Sequence, residues 1–281
     1  MDVFFEIVKA ILFGIVEGIT EWLPVSSTGH IILLDEFIHL KGSEEFISMF
    51  DVVIQLGAII AVIVLFFRKL NPFDTAKSEK QKTMTWALWF KVCAAIVPSG
   101  LLGILFDDWM EDHLHKGIPV AIALIVYGIA FILVERRNAD RAPGVKSVYG
   151  IDMKTALLIG CFQCLSLVPG TSRSGSTILG AILLGVGRSA GAEFSFFMAV
   201  PTMVGASAIK GLQFLMSGVG ATGTEIAVLI VGCVVSFVVS LLVIKALMEY
   251  VRKHSFASFG YYRIGLGAVV LLYFLIKAIV T

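Results

Sequence analysis

Residues 17–30 read Glu-Gly-Ile-Thr-Glu-Trp-Leu-Pro-Val-Ser-Ser-Thr-Gly-His, and Ile, Leu, Val and Phe flank them on both sides. Ionisable side chains at membrane depth are costly, so they mark a functional site by default. The surrounding chain makes that depth the question. Of its 281 residues, 58% are apolar and 15% are charged, and its mean hydropathy is +0.92. Soluble domains stay near half apolar. Several segments are apolar over the roughly 18 or more residues that a bilayer crossing requires. They are Phe46–Phe67, Trp86–Phe106, Ile118–Val134, Ala192–Ile209, Ile226–Leu247 and Phe256–Val280. No β-barrel alternation runs through the chain. The fold class is therefore an all-α polytopic integral membrane protein.

The breaks between the apolar segments carry a charge pattern. Arg68–Lys91, Arg136–Lys154 and Lys245–Arg263 are basic, whereas Asp35–Glu45, Asp107–Lys116 and Ser217–Glu225 are acidic or neutral. The positive-inside rule assigns the basic breaks to the cytoplasm. Six full spans then alternate, and residues 2–34 and 152–187 must each begin and end on one side. Each is interrupted at its middle, by Leu23-Pro-Val-Ser-Ser-Thr-Gly29 and by Val168-Pro-Gly-Thr-Ser-Arg-Ser-Gly175. A broken same-side segment is a re-entrant helix pair. Ordinary Pro-kinked spans would put basic breaks on opposite sides.

Two inverted repeats follow, residues 1–137 and 152–281, each a re-entrant pair followed by three spans. An echo pairs Pro24 and its following Val-Ser-Ser with Pro169 and its following Gly-Thr-Ser. Inverted repeats with broken helices place a site near the midplane. Both termini are expected outside.

Glu17 and Glu21 share one helix face. Paired carboxylates can hold a divalent cation, share a proton or orient a base; a gating pair near a helix end is the bland alternative. Pro24 ends that helix. Ser26, Ser27 and Thr28 can cap the next one, whose free amides suit an anion. His30 lies about one turn from Ser27, where it can take a proton from the serine or act as the nucleophile itself. In the second break, Arg173 stands among Thr171, Ser172, Ser174, Ser176 and Thr177, with Gly170 and Gly175 beside them. A planar guanidinium fork binds two phosphate oxygens at once, and glycines let backbone approach. A salt bridge to Glu17 or Glu21 is its structural alternative. Together the two loops suit a phosphate or diphosphate ester with a lipid tail.

Other features add little. A formal net charge of +1 gives no case for nucleic acid. Cys93, Cys161, Cys164 and Cys233 all lie in apolar segments and read as packing residues. The first apolar run lacks the basic start and cleavage site of a removable signal. Lys210 and Lys245 read as snorkelling anchors.

These residues resemble the bacterial undecaprenyl-pyrophosphate (undecaprenyl-diphosphate) phosphatase family, which is associated with bacitracin resistance. The family's E-x-x-x-E and P-V-S-S-T-G-H elements stand here as Glu17–Glu21 and Pro24–His30, and its P-G-x-S-R-S-x-x-T element as Pro169–Thr177. Asp51–Gly57 and Glu193–Pro201 are similar to family segments as well. The resemblance implies a phosphoric anhydride hydrolase. It would convert undecaprenyl diphosphate to undecaprenyl phosphate and inorganic phosphate, recycling the carrier for peptidoglycan and wall polymers. Bacitracin would compete for the substrate.

The resemblance also implies a divalent cation, Mg2+ or Ca2+, held by Glu17 and Glu21. It implies a site opening to the outer face of the bacterial cytoplasmic membrane, and it allows a homo-oligomer. Ser27, His30, Glu21 and Arg173 are the expected catalytic residues. Ser27 attacks with His30 as acid/base, or His30 attacks directly. Ser26, Thr28, Gly170, Thr171, Ser172, Ser174 and Thr177 are expected to bind phosphate. Two rivals remain. A type 2 phosphatidic-acid phosphatase needs a second histidine soon after Ser172-Arg173, and none follows until His254. A polyprenyl-phosphate transporter would use the same inverted repeats.

Overall fold

The structure, a computed structural model, describes residues 2–114, 116–139 and 141–280. Met1, His115, Asp140 and Thr281 lie outside the described residues. So do the side chains of Asp107, Asp108, Glu111 and Asp112, which make the break Asp107–Lys116 acidic in sequence.

Helices α1 (Asp2–Thr20) and α2 (Ser27–Asp35) flank Pro24. Then come α3 (Glu44–Leu65), the short α4 (Phe67–Leu70), α5 (Glu79–Leu114) and α6 (Gly117–Arg137). Helices α7 (Met153–Cys164) and α8 (Arg173–Leu183) flank Pro169, and α9 (Arg188–Met216), α10 (Gly223–Lys253) and α11 (Ala257–Val280) complete the chain. Six of these, α3, α5, α6, α9, α10 and α11, are long and apolar enough to cross a membrane. The protein is thus an all-α, multi-pass membrane protein. Large apolar side chains such as Ile104, Leu105, Leu242 and Leu272 remain exposed along these helices, as expected where lipid, not water, is the solvent.

Helices associate in lipid through close backbone approach at small residues. Gly57 of α3 meets the backbone of Cys233 on α10, and Gly14 and Gly18 of α1 meet the carbonyls of Gly232 and Ser236 on α10. A Cβ at position 57 would overlap the Cys233 carbonyl. Gly57→Ala is therefore expected to cost about 1–3 kcal/mol, read as a lower unfolding midpoint in detergent. Gly205→Ala, where a Cβ meets nothing within 4 Å, is the matched control and should leave it unchanged.

Polar contacts define two ends. At one, the Lys41 amide donates to Glu6 at 2.9 Å, Lys277 donates to Glu36 at 2.6 Å, and the Ser43 amide donates to Glu225 at the start of α10. At the other, Lys69 pairs with Glu193 at 2.7 Å, and Glu135 accepts from Arg188 and from the Phe256 amide, each at 2.9 Å. Helix α10, 31 residues and so about 46 Å long at 1.5 Å per residue, runs from the first end to the second.

The segment α1–break–α2 leaves and returns at the first end, because the chain after α2 bonds back to Glu6. The segment α7–break–α8 leaves and returns at the second, because Gly144 and Gly187 bond to Gly185 and Val145 across its mouth. The two tips meet: Ser174 donates to the Glu21 carbonyl at 3.0 Å.

The two breaks are built alike. Ser26 and Ser172 have φ of 73° and 74°, and they are the non-glycine residues with positive φ among those described. Each caps the following helix, accepting from the Gly29 amide at 3.3 Å and the Gly175 amide at 3.1 Å. Serine is a good cap, but this backbone region is sparsely populated for L-residues and stores strain.

The caps put Ser26 opposite Ser172, Ser27 opposite Arg173 and Pro24 opposite Gly170. The sequence echo, which sets Pro24 against Pro169, is thus displaced by one residue. The reason is Gly170: its φ of +90° turns the chain after Pro169, so the second cap falls one position later. A second expectation is also corrected. Sequence leaves Arg263 in two places, at the edge of the basic break Lys245–Arg263 and inside the span Phe256–Val280; the span is borne out and the edge of the break is not. Instead α10 continues to Lys253 and α11 begins at Ala257, which carries Arg263 to full burial at 0% exposure.

Candidate active site

Glu21 is the residue on which the two tips converge. One turn beyond Glu17 and just past the end of α1, it is 5% exposed, and its two carboxylate oxygens divide between the hairpins. Oε2 accepts from Ser27 Oγ at 2.7 Å, within the first hairpin. Oε1 accepts from Arg173 Nη2 at 3.0 Å and Nε at 3.4 Å, from the second. Arg173 Nη1 donates to the Ser195 carbonyl on α9 at 2.8 Å, and the guanidinium lies 5.9 Å from the ring centre of the buried Trp22. A hydroxyl, its proton acceptor and a fixed cation thus occupy one buried point.

His30 sits elsewhere in the same hairpin. Its Nδ1 lies 2.7 Å from the Ser26 carbonyl, which can only accept, so Nδ1 carries the proton. Nε2 then accepts from the Tyr262 hydroxyl at 2.8 Å, with the two rings stacked at an angle of 4°. Both ring nitrogens are engaged, and neither bond reaches Ser27. The structure pairs the serine with Glu21, because Pro24 turns α2 back across the end of α1.

The remaining sequence candidates divide by partner. Ser26 and Ser172 are the caps. Ser174 staples the tips, and Thr177 turns away to share a hydrogen bond with Ser195 Oγ at 2.7 Å. Gly170 offers its carbonyl to Arg263. Thr28 is half-buried in the first turn of α2. Thr171 is fully buried, and its Oγ1 has no hydrogen-bond partner among the described residues. The same holds for Glu17 Oε1, Trp22 Nε1 and Arg263 Nε. Buried polar atoms without partners are rare in folded proteins; these four belong to the breaks or to residues beside them, while Gln163 Oε1 on α7 and Ser236 Oγ on α10 are the others among the described residues.

Glu17 bears on a divalent cation. Among the described residues no three His, Cys, Asp or Glu side chains cluster as a metal site, so a cage made of protein alone does not fit. A Mg2+-type ion needs only one or two carboxylates when phosphate supplies the other oxygens. Glu17, with an unpartnered buried oxygen one turn from Glu21, fits that shared arrangement.

Sequence reasoning missed three contributors. Arg263 donates from Nη1 to the Pro24 carbonyl at 3.1 Å and from Nη2 to the Gly170 carbonyl at 2.8 Å. These carbonyls occupy corresponding positions in the two breaks, so one guanidinium spans both. Tyr262 holds His30, and Ser195 holds Arg173 and Thr177. The signal available for Arg263 was its place seven residues into an apolar run, Phe256–Val280, where a cation requires a partner.

The family model described as bacitracin resistance protein BacA matches residues 10–269. An undecaprenyl-diphosphatase of Streptococcus pyogenes serotype M5 (strain Manfredo) is 53% identical over 272 residues, covering 97% of this chain and 98% of that protein. An undecaprenyl-diphosphatase of Streptococcus equi subsp. equi (strain 4047) is 52% identical over 276 residues, covering 98% and 99%.

Proposed function

The chain belongs to the bacitracin resistance protein BacA family, and from that premise we propose how its two hairpins carry out the reaction. The protein is an undecaprenyl-diphosphatase: it converts undecaprenyl diphosphate to undecaprenyl phosphate and inorganic phosphate, and so confers resistance to bacitracin. Recycling the carrier serves peptidoglycan and wall-polymer synthesis. The observation that carries the mechanism is the divided Glu21 carboxylate, which bonds Ser27 on one oxygen and Arg173 on the other.

Glu21 takes the Ser27 proton as Oγ attacks the terminal phosphorus. The Oγ–P bond forms, the bridging P–O bond breaks, and undecaprenyl phosphate leaves with that oxygen. Water then hydrolyses the phosphoserine, releasing inorganic phosphate. Before substrate arrives, Arg173 neutralises Glu21. The diphosphate draws that guanidinium to its own oxygens, which stabilises charge on the transferred group and frees Glu21 as base. The first-turn amides of α2 and α8 add to the same field. Ser26, Gly170, Ser172, Ser174 and Thr177 hold the two breaks in shape, which leaves Thr28 and Thr171 as the hydroxyls to meet phosphate. His30 orients the Ser26 turn. A divalent cation would be held by Glu17 and Glu21, where it supplies further neutralisation of the diphosphate.

The two hairpins are re-entrant pairs of an inverted repeat, the first entering from outside. The positive-inside rule supports that orientation, with the Lys69–Arg188 end in the cytoplasm and both termini outside. Bacitracin then meets its lipid target on the face where the site opens.

The test is phosphate release from a prenyl diphosphate by purified protein in detergent with Mg2+ or Ca2+. Release without a membrane to cross is expected. Its failure, together with vectorial lipid movement in vesicles, favours a transporter. A trapped phosphoryl group should map to Ser27; its recovery on His30 would reverse the roles. Arg173→Lys keeps the charge but not the fork, and is expected to lower kcat by about 10²–10³-fold. Near-native turnover in that variant contradicts two-point phosphate binding.

A further inference from the structure

A second charged recess lies far from Glu21, at the end where Lys69 meets Glu193. It is a cavity of about 670 Å³ between the C-terminal ends of α3 with α4 and of α10. Arg68, Lys69, Lys245 and Arg252 rim it, against the single carboxylate of Glu193. Lys69 is paired with Glu193. Arg68, Lys245 and Arg252 have no ion pair among the described residues, and all three are exposed. The floor is apolar, with Phe66, Phe67, Ile244 and Met248.

Two apolar stripes run from this recess toward the middle of the molecule. On α3 they are Ile60 and Val64, and on α10 Val234, Val238 and Leu242, all at least half exposed. Each stripe repeats every four residues, so each is one continuous helix face.

We propose that this recess is a binding site for an anionic diacyl phospholipid. The cations take the phosphodiester, and the two stripes take one acyl chain each. Basic recesses between spanning helices bind anionic headgroups through the same combination of charge and apolar floor. The paired stripes favour a two-chain lipid over a single-chain prenyl phosphate, and the apolar floor favours a lipid over free phosphate. None of the rim cations touches Glu21, Ser27 or Arg173.

The experiment uses the full chain in detergent, with fluorescent dioleoyl phosphatidylglycerol and dioleoyl phosphatidylcholine as probes. The native protein is expected to retain phosphatidylglycerol about tenfold more tightly, as two or more lysine or arginine contacts imply. Lys245→Gln with Arg252→Gln should abolish that preference while phosphate release from prenyl diphosphate is unchanged. Arg68→Gln should weaken it part-way. Equal retention of the two lipids by the native protein overturns the proposal, as does an undiminished preference in the double variant. Displacement of the lipid by millimolar inorganic phosphate overturns it too, since that marks a site for the free ion. Displacement by a single-chain prenyl phosphate at equal concentration identifies a product site and likewise excludes the two-chain reading.

Discussion

Ser27→Ala is expected to lower kcat by about 10³-fold or more, the scale on which losing a nucleophile acts, while leaving the fold intact. The folded state should survive because Ser27 sits at the first position of α2, where alanine is a good helix former, and the cap is Ser26. The loss should appear in kcat more than in KM, since Arg173 and the helix amides still hold the diphosphate. Phosphate release under saturating prenyl diphosphate measures it directly. The variant should also yield no trapped phosphoenzyme. Glu21→Gln, which can still accept from Ser27 but no longer take its proton, should fall by a similar factor. Turnover within tenfold of native in Ser27→Ala would exclude the serine as nucleophile and leave water or His30 to attack.

Arg263→Leu is expected to damage both stability and activity. The side chain is wholly buried, and its two terminal nitrogens satisfy the carbonyls of Pro24 and Gly170. Removing them leaves two buried acceptors, each costing about 1–3 kcal/mol. It also leaves two strained breaks without the brace between them. Arg263→Lys separates the two effects. Lysine keeps the charge and reaches one carbonyl, not both, so much of the stability should return. Turnover should stay at least tenfold down, because a shift of about 1 Å between nucleophile and cation is costly in rate. Unfolding midpoints in detergent and kcat with KM on the same preparations read the two quantities. Native turnover in Arg263→Lys at a native midpoint contradicts the bracing role.

The sequence made the spans legible because length and hydropathy alone set them. The breaks were equally legible, since Pro24 and Pro169 interrupt apolar runs with hydroxyls and glycine. The charge map set both breaks within the membrane, and the structure then joins Glu21 to Ser27 and Arg173. Less legible was anything decided by rotamers or by contacts distant in sequence. Spacing alone sets His30 one turn from Ser27, yet a hydroxyl turns to whichever acceptor the chain brings beside it. Here that acceptor is Glu21, six residues back across the Pro24 turn. Arg263 escaped notice because it also closes the basic break Lys245–Arg263, and a cation counted with a loop looks solvated even when the apolar run Phe256–Val280 already contains it. Thr177 and Ser174 show the same limit: a hydroxyl-rich loop does not reveal which hydroxyls serve the ligand and which hold the loop.

The correspondence of Ser27 with Arg173 sets a limit on symmetry. Two identical breaks would place the same side chain at both positions, giving two alcohols with no cation or two cations with no attacking group. Chemical competence therefore requires the two breaks to differ here, as they do where Glu21 stands opposite Leu167. Making the two positions alike, by Arg173→Ser, would keep the paired caps and return an inert scaffold.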